Sequence, residues 1–221
     1  MPVTRKAVLA LVSLAAAAGL ILGPSLALAA AEPDPQERGP QNVMTDLSTR
    51  LFAALDRDRA AIQRDPNLVL PLVDQLLSPQ FDTQYTARLV LGANWPRASE
   101  EQRRRFASAL FQTLLETYAG SVSEWTPDRL KILPLRDDAA ALQVVVRTQV
   151  MGPGGKVVPV DYRLHKTAGG WKVFDVIVEG ASYVRTYHDD IDAEVNQKGL
   201  DSVIARLEKT SISNRRFISI P

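Results

Sequence analysis

The sequence predicts an α+β fold, with N-terminal and flanking helices packed on a curved antiparallel sheet of about four strands. Three observations predict it. Apolar residues recur at helical spacing as far as Tyr118, the period changes after Pro127 to two-residue alternation broken by Gly-rich turns, and helical spacing returns from Tyr183.

The elements follow in order. Between Val43 and Ile62, Leu47, Leu51, Ala54, Leu55 and Ile62 mark one face of an amphipathic helix. Asp65-Pro66 supplies an N-cap and first-turn pair, but Pro71 is expected to break or kink a helix running to Leu77. A third helical segment runs from about Phe81 to Leu91 and stops at Gly92. A fourth opens at Ser99, where Gln102 completes a capping box. Its stripe of Phe106, Leu110, Leu114 and Tyr118, with Phe111 and Leu115 beside it, is broad for an amphipathic helix, and Gly120 is the expected stop.

Leu130 to Leu135 is the expected first strand. Leu142, Val144, Val146, Thr148 and Val150 then alternate with Gln143, Arg147 and Gln149, the pattern of a half-buried strand. Turns at Pro153-Gly154-Gly155 and Ala168-Gly169-Gly170 separate it from Val157 to Lys166 and from Trp171 to Glu179, which gives an antiparallel meander. Helix resumes from Tyr183 to Gln197, ends at Gly199, and is followed by a short helix from Asp201 to Lys209.

The N-terminus reads as an export signal. Arg5 and Lys6 precede an apolar run from Ala7 to Leu22 and a small-residue exit at Ala27-Leu28-Ala29, so residues 1–29 are expected to be a cleavable signal peptide and the mature protein to be periplasmic. The run to Ala31 approaches the length of a membrane span, but Gly23-Pro24 and the Ala-x-Ala exit favour cleavage. The chain has no cysteine, which excludes a lipoprotein anchor and any disulfide. A mobile leader over residues 30–40, a single domain over 41–210 and a tail over 211–221 are the expected organisation. Loss of Arg5 and Lys6 leaves 24 basic against 25 acidic residues, a net charge of −1, which argues against nucleic acid as a partner.

Catalytic motifs are scarce. His165 and His188 are the only histidines. His165 alternates with Arg163 and reads as part of a solvated strand face, and His188 reads as a surface contact. Asp189, Asp190, Asp192, Glu194 and Asp201 resemble a calcium loop in spacing, but Val195 stands where the bend needs Gly, so the segment reads as the wet face of a helix and no metal is expected. Pro153-Gly154-Gly155 opens no helix and lacks the lysine of a phosphate loop. Asp161, Tyr162 and Asp175 form the best enzyme hypothesis, a proton-transfer site on a curved sheet; against it, carboxylates alternating with apolar residues usually face solvent.

Phe81-Asp82, Leu91-Gly92 with Trp95, Gln102 and Phe106 through Tyr118, Tyr162-Arg163-Leu164, Gly170-Trp171, Asp175 and Glu179-Gly180-Ala181-Ser182 together resemble the toluene-tolerance or MlaC family. The resemblance covers nearly all of the mature chain; each motif is weak, but their order and spacing are specific. It implies a periplasmic, non-enzymatic phospholipid shuttle between an outer-membrane lipoprotein complex and an inner-membrane ABC lipid transporter, without a cofactor beyond the lipid cargo. It also implies acyl tails held between a helical layer and a cystatin-like or NTF2-like sheet. One departure is His188, followed by Asp189 and Asp190, where many members carry a basic residue. Pro71 is another. Facing alone assigns the lipid-binding wall to Trp95, Phe106, Leu110, Leu114, Val144, Val146, Tyr162, Phe174, Val176 and Val184. An NTF2-like enzyme acting on a small apolar substrate and a protein-binding adaptor are the competing readings.

Overall fold

A computed structural model describes residues 39–122, 126–138, 141–152 and 155–217, with the backbone alone for 118–122 and 211–217. The expected signal peptide and all but the last two residues of the expected leader lie outside the described residues, as do Pro153 and Gly154 of the first Gly-rich turn.

Helix α1 (Pro40–Arg57) is set off from α2 (Arg59–Arg64) by Asp58, so the expected helix from Val43 to Ile62 is two. Asp58 is a weak helix former, and its carboxylate takes two bonds from Arg57. Asp65 then caps a 3-10 turn, Pro66–Leu68, by accepting from the Asn67 N–H, and α3 (Val69–Leu77) follows. Pro71 does not break this helix. It falls in the first turn of α3, where an N–H has no intrahelical partner to lose.

Asp82 Oδ1 accepts from Tyr85 N to open α4 (Thr83–Leu91). The expected capping box opens α5 (Glu100–Val122) reciprocally: Ser99 N–H donates to Gln102 Oε1 and Gln102 N–H to Ser99 Oγ. The helical backbone continues past Gly120 to Val122, since a single glycine weakens a helix without ending it.

The sheet is an antiparallel meander, β1 (Leu130–Ile132), β2 (Gln143–Met151), β3 (Val157–Thr167), β4 (Gly170–Val178) and the two-residue β5 (Ala181–Ser182), in that spatial order. Strand β1 stops before Leu135 because Pro134 has no N–H for the ladder. Leu142 lies outside β2 and is 71% exposed, so the inward alternation starts at Val144. A bulge at Phe174 pairs Leu164 with Val173 and Arg163 with Asp175, which sets Val173 and Val176 on the same inner face. The free edge of β4 is covered by the α3–α4 junction, where Asp82 N–H donates to Val173 O and Thr86 Oγ1 to Phe174 O.

Helix α6 (Tyr183–Lys198) ends at Gly199 with φ +80°, and α7 (Leu200–Phe217) runs beyond the expected end at Lys209, since no Gly or Pro intervenes. Phe106 and Leu110 of α5, Ala87 and Val90 of α4, Ile191 of α6 and Ile204 of α7 build a helix-only core. A second core sets Met44 and Leu47 of α1 on Val144, Val146, Leu164 and Val173 of the sheet. Among the described residues, no helix is long and apolar enough to cross a membrane.

Candidate functional site: an apolar cavity under the helical layer

Between these cores the layers do not close. A cavity of about 530 Å³ lies over the half of the sheet where β1 pairs with β2. Its floor is Thr148 and Val150 of β2, Val158, Val160 and Tyr162 of β3, and Val176 and Val178 of β4. Helices supply the walls: Met44, Leu47 and Leu51 from α1, Val73 and Leu77 from α3, Leu110 and Leu114 from α5, and Tyr183, Val184 and Tyr187 from α6. Small β-branched residues over most of the floor leave room that the larger Trp171 fills elsewhere on the sheet.

Two threonine hydroxyls and the one carboxylate of this lining are turned to the protein. Thr148 Oγ1 donates to Val160 O and Thr86 Oγ1 to Asp82 O and Phe174 O. Asp175, the charged residue of the lining, is 3% exposed. Its Oδ2 accepts from Ser182 Oγ at 2.7 Å and its Oδ1 from Val184 N at 3.0 Å, while Arg163 Nη1 stands 3.6 Å away. The carboxylate therefore fastens the start of α6 to β4. Burial pushes the Tyr162 hydroxyl up to about 12, so it is neutral at physiological pH. What faces the cavity is mostly hydrocarbon, a surface suited to an apolar ligand and poor in groups for acid–base chemistry.

The structure brings Leu110, Leu114, Tyr162, Phe174, Val176 and Val184 together in the cavity lining. It places the other four expected wall residues elsewhere. Phe106 is fully buried in the helix-only core with Trp95 packed against it, and Val144 and Val146, though they face the helices, are covered by the α1 core. The α1 and α3 residues of the wall were not among the sequence candidates. Their spacing in the sequence is that of any amphipathic face, and only docking shows that part of the face meets a void.

Four further expectations change. Asp175 is buried rather than on the solvent face, because the bulge turns it toward the α6 N-terminus. Asp161 and Tyr162, adjacent on β3, point to opposite faces and cannot converge on one substrate. His165 is not solvated: its side chain is 15% exposed, Nε2 lies 3.0 Å from Asp82 Oδ2, and its ring stacks on Tyr85 at 4.4 Å. His188 is a structural contact between α6 and the end of α4, its Nδ1 donating to Val90 O at 2.9 Å. In the acidic segment, Asp192 accepts from Asn94 and Asn196, Glu194 binds Arg206, and Asp201 accepts from Gln102, so these acids join helices.

The family model described as MlaC protein matches residues 45–209 of this chain. The intermembrane phospholipid transport system binding protein MlaC of Haemophilus influenzae is 22% identical over 179 residues, covering 79% of this chain and 83% of that protein. Toluene tolerance protein ttg2D of Pseudomonas putida is 25% identical over 163 residues, 73% of this chain and 75% of its own. Among solved structures, a phospholipid-binding protein from Ralstonia solanacearum, in complex with a phospholipid, superposes with a TM-score of 0.73 at 25% identity, over 80% of this chain and 99% of that one.

Proposed function

The chain belongs to the MlaC protein family, and from that premise we propose that it is a periplasmic phospholipid-binding transport protein whose cargo's acyl chains occupy the cavity between sheet and helices. It shuttles phospholipid between an outer-membrane lipoprotein complex and an inner-membrane ABC transporter, which maintains the lipid asymmetry of the outer membrane. The observation that carries the reading is the cavity itself, about 530 Å³ of largely apolar space with its Thr86 and Thr148 hydroxyls and single carboxylate committed to protein partners.

The physical problem such a protein solves is large. Exposing one acyl chain of roughly 16 carbons to water costs on the order of 12 kcal/mol at about 0.8 kcal/mol per methylene. An apolar cavity of matching chemistry makes the exchange with a membrane partner nearly balanced, so a transient docking complex can drive it either way.

Two other readings are weaker. A protein-binding adaptor has no need of a void in its core. An NTF2-like enzyme needs a carboxylate or imidazole free to meet substrate, whereas Asp175 caps α6 and His165 is held by Asp82 and Tyr85. Native mass spectrometry of the protein purified from a bacterial periplasm, with extraction of the lipid that travels with it, is the test. Near-stoichiometric phospholipid is expected; a protein that is empty as isolated and cannot be loaded from vesicles would end the proposal.

A further inference from the structure

We propose that the seam between α1 and β1 holds the phosphodiester of the cargo's headgroup, with Arg59 as its cationic contact; the inference rests on the phospholipid reading above and deepens it. A second depression, about 670 Å³, lies outside the cavity on this seam. Ser48, Phe52, Leu130 and Ile132 border both spaces, so the two adjoin along one α1 turn and the three-residue β1. The two sides differ in chemistry. The inner space is apolar, while the outer one adds Thr45, Thr49, Asp56 and Arg59. An amphiphile lying across this shared border has its chains in the first and its polar end in the second.

Arg59 is the one cation among the described residues lining the outer space. Its bond to Asp56 Oδ1 is long, 3.3 Å, and uses Nε alone. Among the described residues neither terminal nitrogen of the guanidinium has an acceptor, and a phosphodiester presents two anionic oxygens at the spacing that such a fork matches. The group recognised is common to all glycerophospholipids. This contact therefore selects phospholipid over uncharged diacyl lipid without selecting among headgroups.

The test loads delipidated protein from vesicles containing phosphatidylglycerol and diacylglycerol with identical chains and reads the ratio of the two by native mass spectrometry. The wild type is expected to favour phosphatidylglycerol, and Arg59→Ala to lower that ratio about two- to fivefold, the range of an exposed ion pair, with diacylglycerol loading unchanged. Arg59→Lys should retain part of the preference, and Asp56→Asn, which frees the guanidinium, should increase it. Arg57→Ala, which loses a pair with Asp58 outside the depression, is the charge control and should match wild type. An unaltered ratio in Arg59→Ala, with both lipids still loaded, overturns the phosphodiester site and leaves the carrier reading standing. Failure to load either lipid overturns the carrier reading instead. Excess inorganic phosphate separates the sources: a preference that survives it supports a headgroup site, and a preference it abolishes shows a general phosphate site and overturns the assignment to the lipid.

Discussion

Asp175 shows how one buried carboxylate can be structural. It has no free lone pair of consequence: a serine hydroxyl, a backbone N–H and a guanidinium surround it. Asp175→Ala leaves Val184 N without its acceptor and is expected to cost about 1–3 kcal/mol, measurable by urea unfolding, while Asp175→Asn should recover part of it. Tyr162 gives a pH prediction. Its hydroxyl titrates near 10 in the unfolded chain and is pushed to about 12 by burial, so its contribution to stability is full below pH 10 and is lost as the pH climbs through 12. Tyr162→Phe should flatten the alkaline limb of the stability curve in that window; an unchanged limb would show that this hydroxyl is hydrated.

Between elements, the helix-only core depends on close approaches that fix how α4, α5, α6 and α7 sit on one another. Gly92 ends α4 at φ +49°, and a Cβ there would stand 2.7 Å from the His188 ring. Gly92→Ala combines a backbone conformation worth about 1–3 kcal/mol of strain with a steric clash. In a double-mutant cycle with His188→Ala the clash should disappear and the backbone part should remain. Arg105 and Glu208 join α5 to α7, and the guanidinium holds the Glu208 carboxyl below its usual range. A depressed carboxyl stabilises above its unfolded pKa of 4.5, and the benefit is lost as pH falls through the folded value. Glu208→Gln should therefore lower the melting temperature at neutral pH and converge with wild type in acid.

At the scale of the whole molecule, the contrast between wall and core is testable. Leu114→Trp puts bulk into the cavity and is expected to lower lipid occupancy severalfold with little loss of stability, since the space exists to receive it. Val146→Trp enters a packed seam against α1 and should cost about 1–3 kcal/mol as overpacking. Should Val146→Trp empty the protein while remaining fully stable, the boundary drawn here between cavity and core would be wrong.

Much of the fold was legible in order. The capping box at Ser99, the stop at Gly92, the turn at Ala168-Gly169 and the alternation from Val144 to Val150 are local signals, carried by caps, glycines and periods that act within a few residues. The break at Asp58 went unread and Pro71 misled because a helix end depends on where the neighbouring turn begins, which a run of apolar residues does not reveal. The cavity is of another kind. Periodicity states which side of α5 or β2 is apolar, yet Leu110 and Phe106 share one stripe and only Leu110 borders the void. Val144 and Val150 share one strand face and divide in the same way. The sequence alone determined the succession of helices and strands and their apolar faces, because those depend on neighbours along the chain. Tertiary structure alone decided which parts of those faces fill one another and which leave a space, because a gap is set by the summed volumes and angles of elements far apart in the chain.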